Sequence, residues 1–303
     1  MLMHETEHTA GTTRTFGAAI DVTATLHAML RASGLPWIEA RMLAARALGL
    51  SAVQLAVGQR DAVAPVHVQA FAALAVRRRA GEPIAYILGE REFYGRTFVV
   101  TPDVLIPRPE TELLCEALLE RLSGASPLKP ASVLDLGTGS GAIAITLACE
   151  RPAWQVTAVD QSPAALAVAR TNARRLCPAA SMRFIVSDWF TALEGERYDA
   201  IISNPPYIAD GDAHLAQGDL RFEPPAALRS GSEGMDALHA IASQAPSHLH
   251  PGGWLLLEHG FAQGSLVREA LHANGLTGVV TLTDLAQCDR VTLGRRLHAA
   301  QNP

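Results

Sequence analysis

Within this 303-residue sequence, the segment with the most chemistry in it is Asn204-Pro205-Pro206-Tyr207. It follows the apolar run Ala200 to Ser203, which reads as a strand, and two successive prolines cannot continue a sheet. The backbone must leave the sheet there as a stiff shelf. On that shelf the Asn204 side-chain oxygen and the Pro205 carbonyl can each accept one N–H of a planar amide or amino group, while Tyr207 stacks on its flat face. An amide nitrogen is a poor nucleophile because its lone pair is delocalised into the carbonyl. What the site must supply is orientation and encouragement to pyramidalise. Orientation contributes up to about 7 to 11 kcal/mol in favourable cases, so no strong general base is required, and proton loss can follow the bond-forming step.

A second group of residues could hold an adenosine-bearing cofactor. Val133 to Leu136 reads as a buried strand that runs into Gly137-Thr138-Gly139-Ser140-Gly141, with a helix from about Ala142 to Cys149 behind it. Glycines permit positive φ and close approach of a ligand, and a helix start offers free N–H groups. Gly137-x-Gly139-x-x-Ala142 also satisfies the dinucleotide fingerprint, and Asp160 lies where either nicotinamide-cofactor or adenosylmethionine ribose could be bound. Asp135, an acid just ahead of the glycines, resembles the methyltransferase version of the loop. Asp160 closes the strand Gln155 to Val159, and Ser162-Pro163 supplies an N-cap and a first-turn proline for the next helix. A carboxylate there can accept from both ribose hydroxyls, at about 1.5 to 3 kcal/mol for each charge-assisted bond. Ser187-Asp188-Trp189 ends the following strand, with Asp188 an acceptor for an adenine amino group and Trp189 a flat face for the ring.

Two patterns carry less. His4-Glu5-Thr6-Glu7-His8 matches the H-E-x-x-H zinc pattern, but it sits in an unpatterned tail without a third ligand, so no metal is expected. Cys115, Cys149, Cys177 and Cys288 are scattered, form no C-x-x-C, and read as reduced structural thiols.

The elements that position these groups follow from periodicity. Residues 1–16 read as a flexible tail. Residues 17–85 read as a small helical bundle: Ile20, Leu26, Met29 and Leu30, then Leu43, Leu48 and Leu50, then Val68, Phe71, Leu74 and Ala75 recur at helical steps. Gly34-Leu35-Pro36 and Gly49-Leu50-Ser51 punctuate it. Residues 86–109 read as a β-hairpin linker, with Phe93 to Val100 turning at Gly95. From 110 to 303, helical stretches alternate with the apolar runs Ser132 to Leu136, Gln155 to Val159, Arg183 to Val186, Ala200 to Ser203 and Trp254 to Glu258. That alternation predicts an α/β domain built on a mainly parallel, twisted, Rossmann-like sheet with helices on both faces.

The composition, 49% hydrophobic and 18% charged, suits a compact globular chain. The sequence shows no run long and apolar enough for a membrane helix and no export signal at its start, so a cytoplasmic protein is expected. A net charge of -5 and a pI near 6.1 argue against a dedicated duplex-DNA binder. No direct nucleic-acid or membrane partner is expected, and a monomer is.

Taken with these motifs, the sequence resembles the bacterial release factor glutamine methyltransferases over almost its whole length. The resemblance rests on Gly81-Glu82-Pro83-Ile84-Ala85-Tyr86-Ile87-Leu88-Gly89, Phe93-Tyr94-Gly95, Leu105-Ile106-Pro107-Arg108-Pro109-Glu110-Thr111-Glu112, the glycine loop, Asn204 to Tyr207, and Gly218-Asp219-Leu220-Arg221-Phe222-Glu223-Pro224. It implies a class I methyltransferase fold that uses S-adenosyl-L-methionine and methylates the glutamine side-chain nitrogen of class I peptide-chain release factors. By resemblance, Gly137 to Gly141, Asp160, Trp189 and Asn204 contact the cofactor, and Asn204 to Tyr207 hold the glutamine. Arg108, in the segment before the catalytic domain, is expected beside the substrate. The helical N-terminal domain is expected to recognise the release factor. The rivals are a sister enzyme acting on a ribosomal-protein glutamine, an adenine-N6 DNA methyltransferase, an NAD-binding oxidoreductase, and a non-catalytic ribosome-associated module. The oxidoreductase leaves Asn204 to Tyr207 unexplained, and a DNA enzyme would have to flip its base.

Overall fold

A computed structural model of the chain describes residues 25–123 and 130–297. The tail 1–16, the His4–His8 pattern and Ile20 lie outside the described residues. The chain divides into two compact units, Met1–Ala80 and Gly81–Pro303.

Four helices make up the described part of the first unit: α1 (Leu26–Ala32), α2 (Trp37–Leu48), α3 (Ala52–Val57) and α4 (Pro65–Arg79). Thr25 caps α1, Gly49 ends α2 in the left-handed conformation, and Ser51 with Gln54 closes a capping box on α3. Most of the apolar steps read from the sequence become the core, with Leu26, Met29, Leu30, Leu43, Val68, Phe71 and Ala75 buried, while Leu48, Leu50 and Leu74 are only half-buried. Glu39 on α2 accepts both Nε and Nη2 of Arg78 on α4, at 2.8 and 2.9 Å, and fixes their packing.

The second unit opens on a helix, not a strand. Pro83 and Gly89 bracket α5 (Ile84–Leu88), so the stretch expected as hairpin from residue 86 is helical for its first three residues. The hairpin itself is short, β1 (Glu90–Phe93) against β2 (Arg96–Val99), with Tyr94-Gly95 at the turn. Behind it comes an irregular strap, Thr101 to Arg108, which starts with a turn closed by Val104 N on the Thr101 carbonyl and is held down where the Tyr86 hydroxyl donates to the Val104 carbonyl at 2.7 Å. A 3₁₀ turn, Pro109–Thr111, then leads into α6 (Glu112–Arg121).

The main sheet has seven strands in the order β5-β4-β3-β6-β7-β9-β8. Five are parallel: β3 (Ser132–Leu136), β4 (Gln155–Asp160), β5 (Met182–Val186), β6 (Tyr198–Ser203) and β7 (Leu249–Glu258). The sequence reading placed no strand beyond Glu258, yet β8 (Leu276–Thr283) and β9 (Asp289–Arg296) close the sheet as an antiparallel pair. β8 has no fully buried residue after Leu276, so it lacks the continuous apolar run that marked the central strands. Helices α7 (Ala142–Glu150), α8 (Pro163–Leu176), α9 (Asp236–His248) and α10 (Gly264–Ala273) pack on the sheet. Two apolar clusters form the interior: one includes Leu118, Val133, Ile145 and Ile202, the other Leu134, Ile201, Leu238 and Leu257.

Register decides what meets at the carboxyl edge. Leu136 pairs with Val159 on one side and Ser203 on the other, and Ser203 pairs with Leu257. The next residue on each strand is therefore Gly137, Asp160, Asn204 and Glu258, side by side. No helix among the described residues is long and apolar enough to cross a membrane.

Candidate active site

The glycine loop is bent by three left-handed residues, Gly137 (φ 71°), Gly139 (φ 55°) and Gly141 (φ 83°). At Gly141 a side chain would be strained by the positive φ, and its Cβ would also lie 2.6 Å from Ile145 Cδ1 on α7. The loop's other side chains turn inward. Buried Asp135 takes the Thr138 hydroxyl at 2.6 Å and the Ala144 N–H at 3.2 Å on Oδ2. Burial pushes the Asp135 carboxyl up to about 7, against those two hydrogen bonds. Asn172 on α8, fully buried, donates to the Ser140 and Val99 carbonyls at 2.9 Å and accepts from Val99 N at 2.7 Å. One side chain thus ties the hairpin to the glycine loop.

Asp160 braces the same loop. Its Oδ2 accepts from Gly139 N and its Oδ1 from Ser162 N, each at 2.9 Å. Each oxygen keeps lone-pair capacity, and Asp160 remains part of the wall of a cavity of about 210 Å³. Burial raises its pKa and the two N–H bonds oppose the rise. Gly137, Gly139, Asp188, Trp189, Asn204 and Pro206 line that cavity as well. Thr138, Ser140 and Gly141 do not line it; they set the loop's shape. Trp189 stands in the left-handed conformation (φ 46°), half-buried against the second apolar cluster. The strap residues Asp103, Val104 and Leu105 complete the wall.

Asn204 is also in the wall of a second, smaller cavity of about 60 Å³, with Arg108, Pro205 and Tyr207. Its Nδ2 donates to Thr111 Oγ1 at 3.1 Å, which leaves Oδ1 as the free end of the amide. Tyr207 is fixed at both ends. Gln263 Nε2 donates to its carbonyl at 3.1 Å, and its hydroxyl points to Glu258 Oε1 at 3.4 Å. A Cβ at Gly234 would lie 2.3 Å from that carbonyl, so glycine is needed there. Burial, and then the Glu258 charge, hold the Tyr207 hydroxyl well above its usual pKa, so it stays a donor. Arg108 does not point a free charge into the cavity: its guanidinium pairs with buried Glu223, which also accepts from Ile106 N at 3.0 Å. The motif Gly218 to Pro224 therefore acts through Glu223 as a clasp on the strap.

Sequence reasoning did not single out Thr111, Asn172, Glu258 or Gln263. Thr111 and Asn172 reach their partners across long sequence separations. Glu258 did carry a signal, an acid closing the apolar strand Trp254 to Leu257 as Asp160 closes β4.

The "Methyltransferase small domain" family matches residues 109–231, and the "PrmC N-terminal domain" family matches 22–89. The chain is 52% identical over 267 residues to a Bordetella pertussis protein named "Release factor glutamine methyltransferase", covering 88% of this chain and 97% of that one. An Escherichia coli protein of the same name is 48% identical over 227 residues, 75% of this chain and 80% of its own. The chain belongs to the release factor glutamine methyltransferase family. It is an S-adenosylmethionine-dependent methyltransferase, and the oxidoreductase alternative falls away. The methyltransferase shares its fold with the hMettl16 catalytic domain solved in complex with the MAT2A 3'UTR hairpin 1, at a TM-score of 0.52 and 15% identity, over 76% of this chain and 81% of that one.

The residues present suit the cofactor. A glycine-walled cavity at the carboxyl edge, with open space at Gly139 and carboxylates at Asp160 and Asp188, is the donor and acceptor set that an adenosine with a ribose diol calls for. Among the described residues no group of His, Cys, Asp and Glu could hold a metal ion.

Proposed function

We propose that this enzyme methylates the side-chain amide nitrogen, N5, of the glutamine in the Gly-Gly-Gln loop of class I release factors. The observation that carries the reading is Asn204: it stands between the two cavities with Nδ2 engaged by Thr111 and Oδ1 free to accept. Bound adenosylmethionine supplies an electrophilic methyl group on a sulfonium. Gly137, Gly139, Asp160, Asp188 and Trp189 hold its adenosine portion. The Asn204 Oδ1 and the Pro205 carbonyl take the two N–H bonds of the substrate amide, which turns the nitrogen lone pair toward the larger cavity. Tyr207 covers the flat face of the amide. Orientation replaces a strong base, and the proton leaves after transfer.

A cavity of about 60 Å³ admits a side chain and excludes a folded segment, which favours a glutamine flanked by glycines on an extended loop. Arg108, paired to Glu223, stiffens the strap over that slot. The acidic balance of the chain disfavours a phosphate-rich substrate. The names of the relatives point the same way. In this reading the helical unit recognises the release factor.

The test is to incubate the purified enzyme and labelled adenosylmethionine separately with a release factor, its loop Gln→Ala variant, the ribosomal protein and duplex DNA. Label is expected on the release factor alone. Label on DNA or the ribosomal protein, or equal label on the Gln→Ala variant, overturns the substrate assignment and leaves the fold untouched.

A further inference from the structure

Glu258 ends β7 one residue beyond the row that aligns Leu136, Ser203 and Leu257, so it lies at the edge of the sheet beside Asn204. It is 1% exposed, and its Oε2 has no partner at ordinary hydrogen-bond distance. An unpaired buried carboxylate oxygen is costly, and such a group calls for an explanation. The groups around it are specific. Tyr207 points its hydroxyl at Oε1 from 3.4 Å, and the Thr111 hydroxyl lies close enough to lower the carboxyl pKa. Arg290 on β9 also lowers it, while Glu110 on the turn before α6 raises it; the Cys115 thiol on α6 feels the Glu258 charge as well. Arg290 acts on Glu258 only through its field: its guanidinium forms an ion pair with Asp284, at 3.0 Å, and none with Glu258.

These contacts join into a chain. Thr111 Oγ1 accepts from Asn204 Nδ2, so the Thr111 hydrogen must point elsewhere, and Glu258 is the acidic acceptor beside it. With Thr111 held as an acceptor toward Asn204, the Asn204 amide cannot flip, and Oδ1 stays toward the small cavity. From this arrangement we infer that Glu258 is a positioning residue for methyl transfer, which through the Thr111 and Tyr207 hydroxyls fixes the groups that hold the substrate amide. The inference rests on the substrate reading above. The ionised carboxylate is the competent form, since only it offers both oxygens as acceptors to the Tyr207 and Thr111 hydroxyls. Burial pushes its pKa up to about 7, so the switch between forms falls in the working range.

The experiment compares wild type, Glu258→Gln, Thr111→Val and the double variant on a release factor, with adenosylmethionine affinity measured by calorimetry. Each single variant is expected to lower kcat by about 10- to 100-fold, with KM and cofactor affinity within about threefold, and the double variant to be no worse than the weaker single. Wild-type kcat should rise with pH through about 7, and Glu258→Gln should lose that inflection. Unchanged kcat in Glu258→Gln overturns the inference, as does a loss that multiplies with Thr111→Val or one that leaves the inflection in place. If Glu258→Gln does not fold, Thr111→Val and the wild-type pH profile decide: a normal kcat in the first or no inflection in the second overturns it. Wild type inactive on the release factor refutes the substrate reading and this inference with it, whereas active wild type beside an unaffected Glu258→Gln refutes this inference alone.

Discussion

Replacing Asp160 by alanine separates cofactor binding from the transfer step. The carboxylate is already engaged with the Gly139 and Ser162 N–H groups at 2.9 Å, one on each oxygen, and each oxygen has a second acceptor direction left for a ribose hydroxyl. A charge-assisted bond of this kind is worth about 1.5 to 3 kcal/mol, but here the charge is shared with two backbone donors, so two ribose bonds together are expected to contribute about 2 to 4 kcal/mol. That corresponds to a rise in the adenosylmethionine Kd of about 30- to 900-fold. Asp160 does not line the cavity that takes the amide, so kcat at saturating cofactor should stay within about fivefold of wild type. Isothermal titration gives the first quantity and labelled methyl transfer the second. A Kd within about twofold of wild type would refute the ribose role and leave Asp160 as a brace of the loop. A collapse of kcat without a change in Kd would refute the division of labour between the two cavities.

Asn204→Ala should leave adenosylmethionine affinity within about tenfold while methyl transfer falls by several orders of magnitude, and near-normal turnover would count against its role. Asn172→Ala removes three hydrogen bonds, one buried and two part-buried, that join the hairpin to the glycine loop, so denaturant unfolding should show a loss of about 2 to 4 kcal/mol; a loss under about 0.5 kcal/mol would mean that water replaces them. Stability should also fall as pH rises from about 5 to 8. Glu258 is raised from 4.5 to about 7 and Asp135 from 3.8 to about 7, so the folded state holds both protons more tightly than the unfolded chain. The advantage is complete below the unfolded pKa values and is lost on passing through the folded ones. For Glu258 it amounts to about 3 kcal/mol at most. Glu258→Gln should flatten the slope in part, with Asp135 supplying the remainder, and an unaltered slope in urea melts at several pH values would refute the burial argument.

Much of the site was legible because it is made by strand ends. A parallel strand buried on both faces must be apolar, so polar residues that terminate such a run stand out: Asp160 after Val159, and Ser203-Asn204 after Ile202. Backbone chemistry helped, since glycines and paired prolines restrict φ in ways that a sequence shows directly. The fold class followed from the same runs. The parts that stayed hidden are those fixed by contacts across the chain. Nothing local to Thr111 says that it will accept from Asn204, and nothing local to Asn172 says that it will clamp Val99. The edge strand β8 escaped because its mostly exposed residues lack a continuous apolar pattern, and β9, although buried at Val291 to Gly294, has an apolar run broken by Thr292 and Gly294. Arg108 was read as a substrate contact from its motif; it does line the small cavity, but nothing local to it says that its guanidinium will pair with the buried Glu223, far along the chain.

Glu258 and Asp135 are both buried carboxyls at the carboxyl edge, yet their surroundings suit them to different work. Asp135 takes two hydrogen bonds on Oδ2, from the loop it supports and from the start of α7, and so fixes backbone. Glu258 takes no backbone N–H, and its neighbours are two side-chain hydroxyls that belong to the substrate cavity or lie one hydrogen bond behind it. Replacing a buried polar network by apolar residues is often neutral or stabilising, so stability alone does not account for a carboxylate there. What a buried anion does well is hold hydroxyl hydrogens in one direction. In a reaction that depends on the angle of an amide nitrogen more than on a base, that direction is what Asn204 needs in order to keep its oxygen toward the substrate.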